Sequence, residues 1–227
     1  MDWPTRKRAW SDSSVADSYD RRRFGIALGR RKHTNDVALV ARLLARCGSS
    51  LRVLDVPTGT GRLIGDLCAQ GLTVVGLDLS PQMISVAQRP ASGRFLGFVL
   101  GDAEQLPLAD ASFDAIVSLR FLFHVRDERT RRRILEEFGR VAEWTVGQVR
   151  SEANLKHWGR RFRNALGGGR KFRPTAGREA LRLELAAAGL ELVLLRPVSR
   201  LFSDKALFLA RSRRPVRAIR AGDRDAR

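Results

Sequence analysis

Short apolar runs alternate with longer amphipathic stretches along most of the chain. Each apolar run is bounded by polar or glycine-rich residues and has the length of a buried strand, whereas the stretches between them repeat apolar residues every three to four positions, as helices do. The predicted strands are 51–56, 73–78, 95–100, 113–119, 144–150, 190–195 and 205–210. Strands that alternate with helices predict an α/β fold with a doubly wound, mostly parallel sheet of seven strands and helices on both faces.

Terminal signals place the helices between these strands. Asn35 is a candidate N-cap for a first helix, and Ser80 followed by Pro81 has the hydroxyl cap and first-turn proline of another. The helix predicted from Asp127 carries Ile134, Leu135 and Phe138 on one face. In a doubly wound sheet, ligands bind at the carboxyl ends of the strands, so we expect the chemistry there.

Length and composition fit one main domain. The chain has 227 residues, of which 44% are hydrophobic, enough for one ordinary core. We predict an N-terminal basic arm or lid over 1–34 and the main domain over 35–211. Within it, 151–174 reads as a basic, aromatic insertion over the active edge, and 212–227 is a basic tail with too few apolar residues to fold.

The net charge of +18, mostly arginine, has two explanations. A strongly positive protein attracts nucleic acid, anionic lipid and phosphorylated metabolites. The chain is also rich in Ala, Gly, Leu and Arg, as a GC-rich genome would produce, so charge alone does not establish a nucleic-acid partner.

Other features limit location and metal chemistry. The sequence has no long apolar run, and its N-terminus is too polar for a secretion signal, which predicts a soluble, cytoplasmic protein. Cys47 and Cys68 fall at apolar-periodic positions and are expected in the core. We find no cluster of metal ligands and expect no metal.

A glycine-rich loop follows the first predicted strand. Such a loop opens a helix and presents backbone N–H groups and the positive end of the helix dipole to an anion. Gly59 and Gly61 lack a Cβ, so a ligand could approach the backbone closely. The spacing of Gly59, Gly61 and Gly65 also occurs in nicotinamide enzymes, so the loop alone leaves a hydride-transfer enzyme open.

Acidic residues at the ends of the next two strands help to distinguish a nicotinamide cofactor from another nucleoside-containing cofactor. Asp78 ends the second strand, where a carboxylate can accept hydrogen bonds from both hydroxyls of a ribose in either kind of cofactor. Asp102, after the third strand, adds an acceptor suited to an adenine amino group, with the Ala103 N–H beside it. This second acid speaks against a nicotinamide site.

Four motifs in order resemble class I S-adenosylmethionine-dependent methyltransferases, in the small-molecule branch that includes the quinone C-methyltransferases. They are V53-L-D-V-P-T-G-T-G61, V75-G-L-D-L-S-P-Q-M83, G101-D-A-E-Q-L-P107 and F113-D-A-I-V117. The resemblance covers about residues 51–142 and implies a Rossmann-like methyltransferase fold.

That resemblance implies roles for the loop and the strand ends. Asp55, Gly59 and Gly61 would hold the methionine part of S-adenosyl-L-methionine, Asp78 the ribose, and Asp102 with Ala103 the adenine. The segment A16–F24 looks like the helix that covers the cofactor in relatives, with Tyr19 near the methionine carboxylate. The full predicted cofactor-binding set is Tyr19, Asp55, Pro57, Thr58, Gly59, Gly61, Asp78, Leu79, Asp102, Ala103 and Ser118.

Pro57 departs from the family, which usually has glycine there. Proline fixes φ near −65° and has no N–H, so the loop loses one possible donor and must turn without positive φ at this position. We interpret the change as tolerated, with reduced cofactor affinity as the alternative.

Three polar residues after the fourth strand are the candidate catalytic groups: Ser118, Arg120 and His124. His124 could take a proton from the acceptor, since its ordinary pKa is near neutrality, or it could be a structural residue bonded to backbone. Arg120 could bind an anionic acceptor or form a structural ion pair. Phe121 and Phe123 fit a core role better than a substrate platform.

The sequence as a whole predicts a metal-independent methyltransferase acting on a small or lipid-like, anionic acceptor. An RNA or protein methyltransferase is the second reading, and peripheral contact with an anionic membrane is compatible with the charge. A nicotinamide oxidoreductase and a non-catalytic basic binding protein on the same fold are the remaining alternatives.

Overall fold

The sheet has seven strands in the order β3-β2-β1-β4-β5-β7-β6. The structure, a computed structural model, describes residues 27–87, 89–90, 93–150, 177–199 and 203–214. The strands are β1 (Arg52–Asp55), β2 (Thr73–Asp78), β3 (Arg94–Leu100), β4 (Phe113–Ser118), β5 (Ala142–Arg150), β6 (Leu190–Pro197) and β7 (Lys205–Ser212). The predicted α/β class and seven-stranded, mostly parallel sheet are therefore confirmed.

Five α-helices lie in the described residues. They are α1 (Ala27–Leu44), α2 (Ile64–Cys68), α3 (Pro81–Ser85), α4 (Glu128–Val141) and α5 (Arg178–Ala187), with a 3₁₀ turn at Leu122–His124. Ser80 Oγ accepts a hydrogen bond from the Met83 N–H, and Asp127 Oδ2 accepts one from the Thr130 N–H. Both helices therefore begin at capping residues, as their sequence signals predict.

The first five strands are parallel, and β7 runs antiparallel between β5 and β6. In the middle of the sheet, Leu54 of β1 pairs with Val75 of β2 and Ile116 of β4. Parallel pairing brings the carboxyl ends of β3, β2, β1 and β4 to one edge, in that order. At this edge, the acidic residues of the strand ends lie next to the glycine-rich loop that follows β1.

Each face of the sheet has its own hydrophobic core. One core packs α4 and α5 onto the sheet, with Ile134, Phe138 and Leu185 fully enclosed. The other packs α1 and α2 onto the opposite face through Leu43, Ile64 and other residues that include Cys68. Cys68 is buried and Cys47 half-buried against this second core, as predicted.

Helix α1 corrects one sequence prediction. It already contains Ala27 and continues through Asn35, so Asn35 is an interior helical residue and not an N-cap. The helix thus crosses the boundary predicted between the arm and the main domain. The reason is that Asn35 lies beside a buried position, Asp36, and tertiary contacts of that turn keep the backbone helical.

Candidate functional site

The candidate site lies at the carboxyl edge of the sheet. Asp55 ends β1, Asp78 ends β2, Asp102 follows β3, and Ser118 ends β4. Asp55 and Asp78 belong to adjacent parallel strands, which places the two carboxylates at neighbouring strand ends. The edge is therefore acidic although the whole chain is strongly basic.

Backbone hydrogen bonds anchor the loop after β1 to both neighbouring strands. The Val56 N–H donates to Val117 O (3.0 Å), and the Thr58 N–H donates to Leu77 O (2.8 Å). Gly59 has φ of +56°, and a Cβ placed there would meet no atom within 4 Å. The left-handed backbone favours glycine, and the open space beside it would let a ligand lie directly against the loop.

Pro57 joins this loop through a cis Val56–Pro57 peptide bond. Its φ is not in the left-handed region; the positive-φ glycines of the loop are Gly59 and Gly61. The loop therefore turns without positive φ at Pro57, as the sequence predicts.

Asp78 supports the loop directly. Its Oδ2 accepts a hydrogen bond from the Gly59 N–H (2.7 Å), and its Oδ1 accepts one from the Ser80 N–H (3.0 Å). Burial raises the pKa of this carboxyl, while the hydrogen bonds from Ser80 and Gly59 oppose the rise. Asp78 is therefore held in a fixed orientation by the loop that it stabilises.

Asp55 is more strongly perturbed. Its side chain is buried, and Oδ2 accepts a hydrogen bond from Thr58 Oγ1 (2.7 Å). Burial raises its pKa from the ordinary 3.8 to about 7; the Asp78 charge adds to the rise, and the Thr58 hydrogen bond and the Arg120 charge oppose it. A cation placed against Asp55 would favour its ionised form.

Asp102 and Ala103 form a compact turn at the end of β3. Asp102 Oδ1 accepts a hydrogen bond from the Glu104 N–H (3.0 Å). The Gly101 N–H donates to Asp78 O (3.0 Å), so the β2 and β3 ends are joined directly. Ala103 is buried in the core. Leu79, next to Asp78, is half-buried on the same edge.

The three catalytic candidates have different surroundings. Ser118 is fully buried, and its Oγ has no hydrogen-bond partner among the described residues. Arg120 Nη2 pairs with Asp36 Oδ2 (3.1 Å), so of its two proposed roles the structural ion pair is observed. His124 is half-buried at the end of the 3₁₀ turn, with its ring 4.5 Å from that of Phe123.

Sequence reasoning missed two residues beside this site, Asp36 and Gln148. Asp36 is buried on α1, and Gln148, fully buried on β5, donates from Nε2 to Asp36 Oδ1 (3.3 Å). The signal was available: Asp36 shares the helical spacing of Val40 and Leu43, so it is a carboxylate at an apolar-periodic position. Such a residue needs a buried partner.

Several predicted features fall outside the described residues. They are Tyr19, most of the basic arm, the insertion at 151–174 and the tail beyond residue 214. Within the described residues, no group of His, Cys, Asp or Glu could hold a metal ion. The same part of the chain contains no helix long and apolar enough to span a membrane.

Residues 54–143 match the family model described as a methyltransferase domain. Among curated relatives, the demethylmenaquinone methyltransferase of Beutenbergia cavernae is 41% identical over 102 residues, which is 45% of this chain and 40% of that protein. The chain spans about half the length, or less, of the curated relatives it matches.

Solved structures share the whole fold. Magnesium protoporphyrin IX methyltransferase from Synechocystis, with bound S-adenosylhomocysteine, has a TM-score of 0.71 at 19% identity and covers 92% of this chain and 99% of its own. The (4+2)-cyclase SpnF also matches, with a TM-score of 0.57 at 20% identity, covering 76% of this chain and 79% of its own. Fold likeness at this level of identity does not by itself assign a reaction.

Residues 54–143 thus resemble a methyltransferase domain, and solved S-adenosylmethionine-dependent methyltransferases share the fold of the chain. The part that matches the curated relatives resembles demethylmenaquinone methyltransferases.

The buried Asp55 carboxyl predicts a pH-dependent stability. Between the ordinary pKa of 3.8 and the folded value of about 7, the unfolded chain ionises Asp55 and the folded chain keeps it protonated, so rising pH destabilises the fold. Asp55→Asn, whose side chain can still accept the hydrogen bond from Thr58, should remove this pH dependence. Within that interval, the free energy of unfolding of the variant should rise relative to that of the wild type by up to about 1.4 kcal/mol per pH unit. Urea unfolding of both proteins at pH values across the interval measures the difference; a constant difference would contradict the raised pKa.

Proposed function

We propose that the protein transfers a methyl group from S-adenosylmethionine to a small, lipid-like acceptor. The observation that carries the proposal is the set of three acids, Asp55, Asp78 and Asp102, at successive parallel strand ends around an open glycine loop. The residues fit the cofactor because Gly59 leaves space that a Cβ would fill and the acids supply acceptors for its ammonium, hydroxyl and amino groups.

Each residue has a specific task in this site. Asp55 would hold the ammonium of the methionine part, Asp78 the ribose hydroxyls, and Asp102 with the Ala103 N–H the adenine edge. Pro57, Thr58, Gly59 and Gly61 would shape the loop beneath the methionine part, and Leu79 and Ser118 would border the site. When bound, the cofactor supplies an electrophilic sulfonium methyl group, so the protein's main contribution is orientation and exclusion of water.

The acceptor side favours a lipid-like molecule. The curated relatives bear the name demethylmenaquinone methyltransferase, and the separate family match over residues 54–143 includes the loop and the strand ends. His124, at the rim beyond β4, would take a proton from the acceptor. An anionic acceptor would suit the positive charge of +18.

The exposed large hydrophobic side chains in the described residues are all aliphatic: Val86, Leu96, Leu100, Leu183 and Val193. Aliphatic side chains suit contact with a lipid-like acceptor or a membrane. Binding of single-stranded nucleic acid relies on aromatic side chains on which bases stack, and the basic, aromatic stretch at 151–174 lies outside the described residues, so RNA stays the second candidate.

Cofactor binding is the first test. Calorimetric titration with S-adenosylhomocysteine should give a 1:1 complex, whereas NADH and NADPH should give no heat of binding under the same conditions. Incubation with methyl-labelled S-adenosylmethionine and a bacterial lipid extract should then move label into the organic phase. Binding of NADH with no binding of S-adenosylhomocysteine would contradict the proposal.

Asp78→Ala should weaken S-adenosylhomocysteine binding by about 1 to 3 kcal/mol, because ribose hydroxyls lose their acceptor and the Gly59 N–H loses its partner. Asp114→Ala is the matched control, since Asp114 also accepts a backbone N–H, from Arg52 (2.8 Å), but at the amino-terminal edge of the sheet. The same calorimetric titration compares the two variants. Equal affinity of the Asp78 variant and the wild type would remove Asp78 from the site.

A further inference from the structure

Asp36 joins three separate elements at the site. Its Oδ2 accepts a hydrogen bond from Arg120 Nη2 (3.1 Å), just after β4, and its Oδ1 accepts one from Gln148 Nε2 (3.3 Å) on β5. Only 3% of Asp36 is exposed, and Gln148 is fully enclosed. A buried carboxylate with partners on both oxygens is held in a single orientation, so helix α1 is fixed against the carboxyl ends of two strands.

Strand pairing brings the segment that contains Arg120 to the strand end next to Asp55. Asp55 is paired with Val117 across β1 and β4, and the Val56 N–H donates to Val117 O (3.0 Å). Strand β4 ends at Ser118, and Arg120, two residues later, has φ of +58°, an uncommon conformation for a residue with a side chain. Such a conformation persists where surrounding contacts impose it, and Asp36 supplies one such contact.

Charges of both signs act on Asp55. Asp78, at the end of the adjacent strand β2, disfavours its ionised form, and Arg120 favours it to a smaller extent. Thr58 supports the ionised form through its hydrogen bond. Asp36 forms an ion pair with Arg120 and therefore helps to fix where this cation lies.

We propose that Asp36 is a positioning residue of the methyl-donor site: it holds Arg120 beside Asp55 and so couples the docking of helix α1 to the charge of the donor loop. The inference rests on the proposed function, because it assumes that Asp55 faces the methionine part of the cofactor. It assigns Arg120 to the electrostatics of the donor site and not to recognition of an anionic acceptor.

The proposal predicts opposite effects from the two partners. Arg120→Gln removes the cation, so Asp55 should ionise at higher pH. Asp36→Asn keeps the shape of the side chain but removes a negative charge that offsets the Arg120 charge, so Asp55 should ionise at lower pH. Each shift should be roughly 0.5 to 1 pH unit, and Arg120→Lys, which retains the charge, should stay close to the wild type.

Two measurements locate the ionisation midpoint of Asp55, the pH at which half of the folded molecules carry the ionised carboxylate. The first is the pH at which the free energy of unfolding stops falling as the pH rises, and it needs no ligand. The second is the pH at which affinity for S-adenosylhomocysteine reaches its plateau, since the ionised Asp55 should bind the ligand's ammonium more tightly. Asp66→Asn is the matched control, because Asp66 also pairs with a side chain of α1, His33 Nε2 (2.9 Å), but belongs to α2.

The results separate the inference from the proposed function. If Arg120→Gln and Asp36→Asn shift the midpoint in opposite directions in both measurements, and the Asp66 variant does not shift it, the inference and the proposed function are both supported. Opposite shifts in the stability profile without any S-adenosylhomocysteine binding would contradict the donor site and the positioning role assigned within it. Arg120 is partly exposed and should tolerate replacement better than Asp36. If Arg120→Gln binds S-adenosylhomocysteine but does not shift the midpoint, the inference is overturned and the proposed function stands.

Discussion

The burial of two carboxylates at adjacent strand ends is the constraint on which the site depends. Asp55 and Asp78 lose water when the sheet forms, which raises the pKa of both carboxyls, and the Asp78 charge further disfavours the ionised form of Asp55. The fold compensates with donors aimed at them: the Thr58 hydroxyl for Asp55, and the Gly59 and Ser80 N–H groups for Asp78. The glycine loop, the start of α3 and both strand ends are therefore one hydrogen-bonded unit.

This unit explains why the shape of the loop and the placement of the acids cannot vary independently. Gly59 needs its left-handed backbone for its N–H to reach Asp78, and the same conformation leaves its open side without neighbouring atoms. Asp36 and Arg120 extend the unit to helix α1 and add a cation where the two acids repel each other. The strongly basic chain thus keeps a local acidic edge with a fixed internal balance of charge.

Much of this architecture could be predicted from the sequence. Apolar runs, helical periodicity and capping residues identified the seven strands and the starts of α3 and α4, because those signals are local. The order of the four motifs located Asp55, Asp78 and Asp102 at strand ends, since parallel strands carry such residues to one edge.

The parts that could not be predicted depend on contacts between distant residues. Arg120 finds its partner 84 residues away, and Gln148 finds the same partner 112 residues away, separations at which local patterns carry no information. The continuation of α1 through Asn35 has the same origin, because Asp36 is held by these contacts. The complete burial of Ser118 likewise follows from packing around the end of β4 and not from the residue's polarity.

The measurement that tests the account most directly is the number of protons released when S-adenosylhomocysteine binds. Calorimetry in two buffers of different ionisation enthalpy, near pH 6.5, gives that number. Because the pKa of Asp55 is raised to about 7 and the ligand's ammonium would favour its ionised form, binding should release a substantial fraction of a proton. The release should disappear in Asp55→Asn. Binding without proton release in the wild type would show that the ligand's charge does not meet Asp55, and would contradict the assignment of this edge as the methyl-donor site.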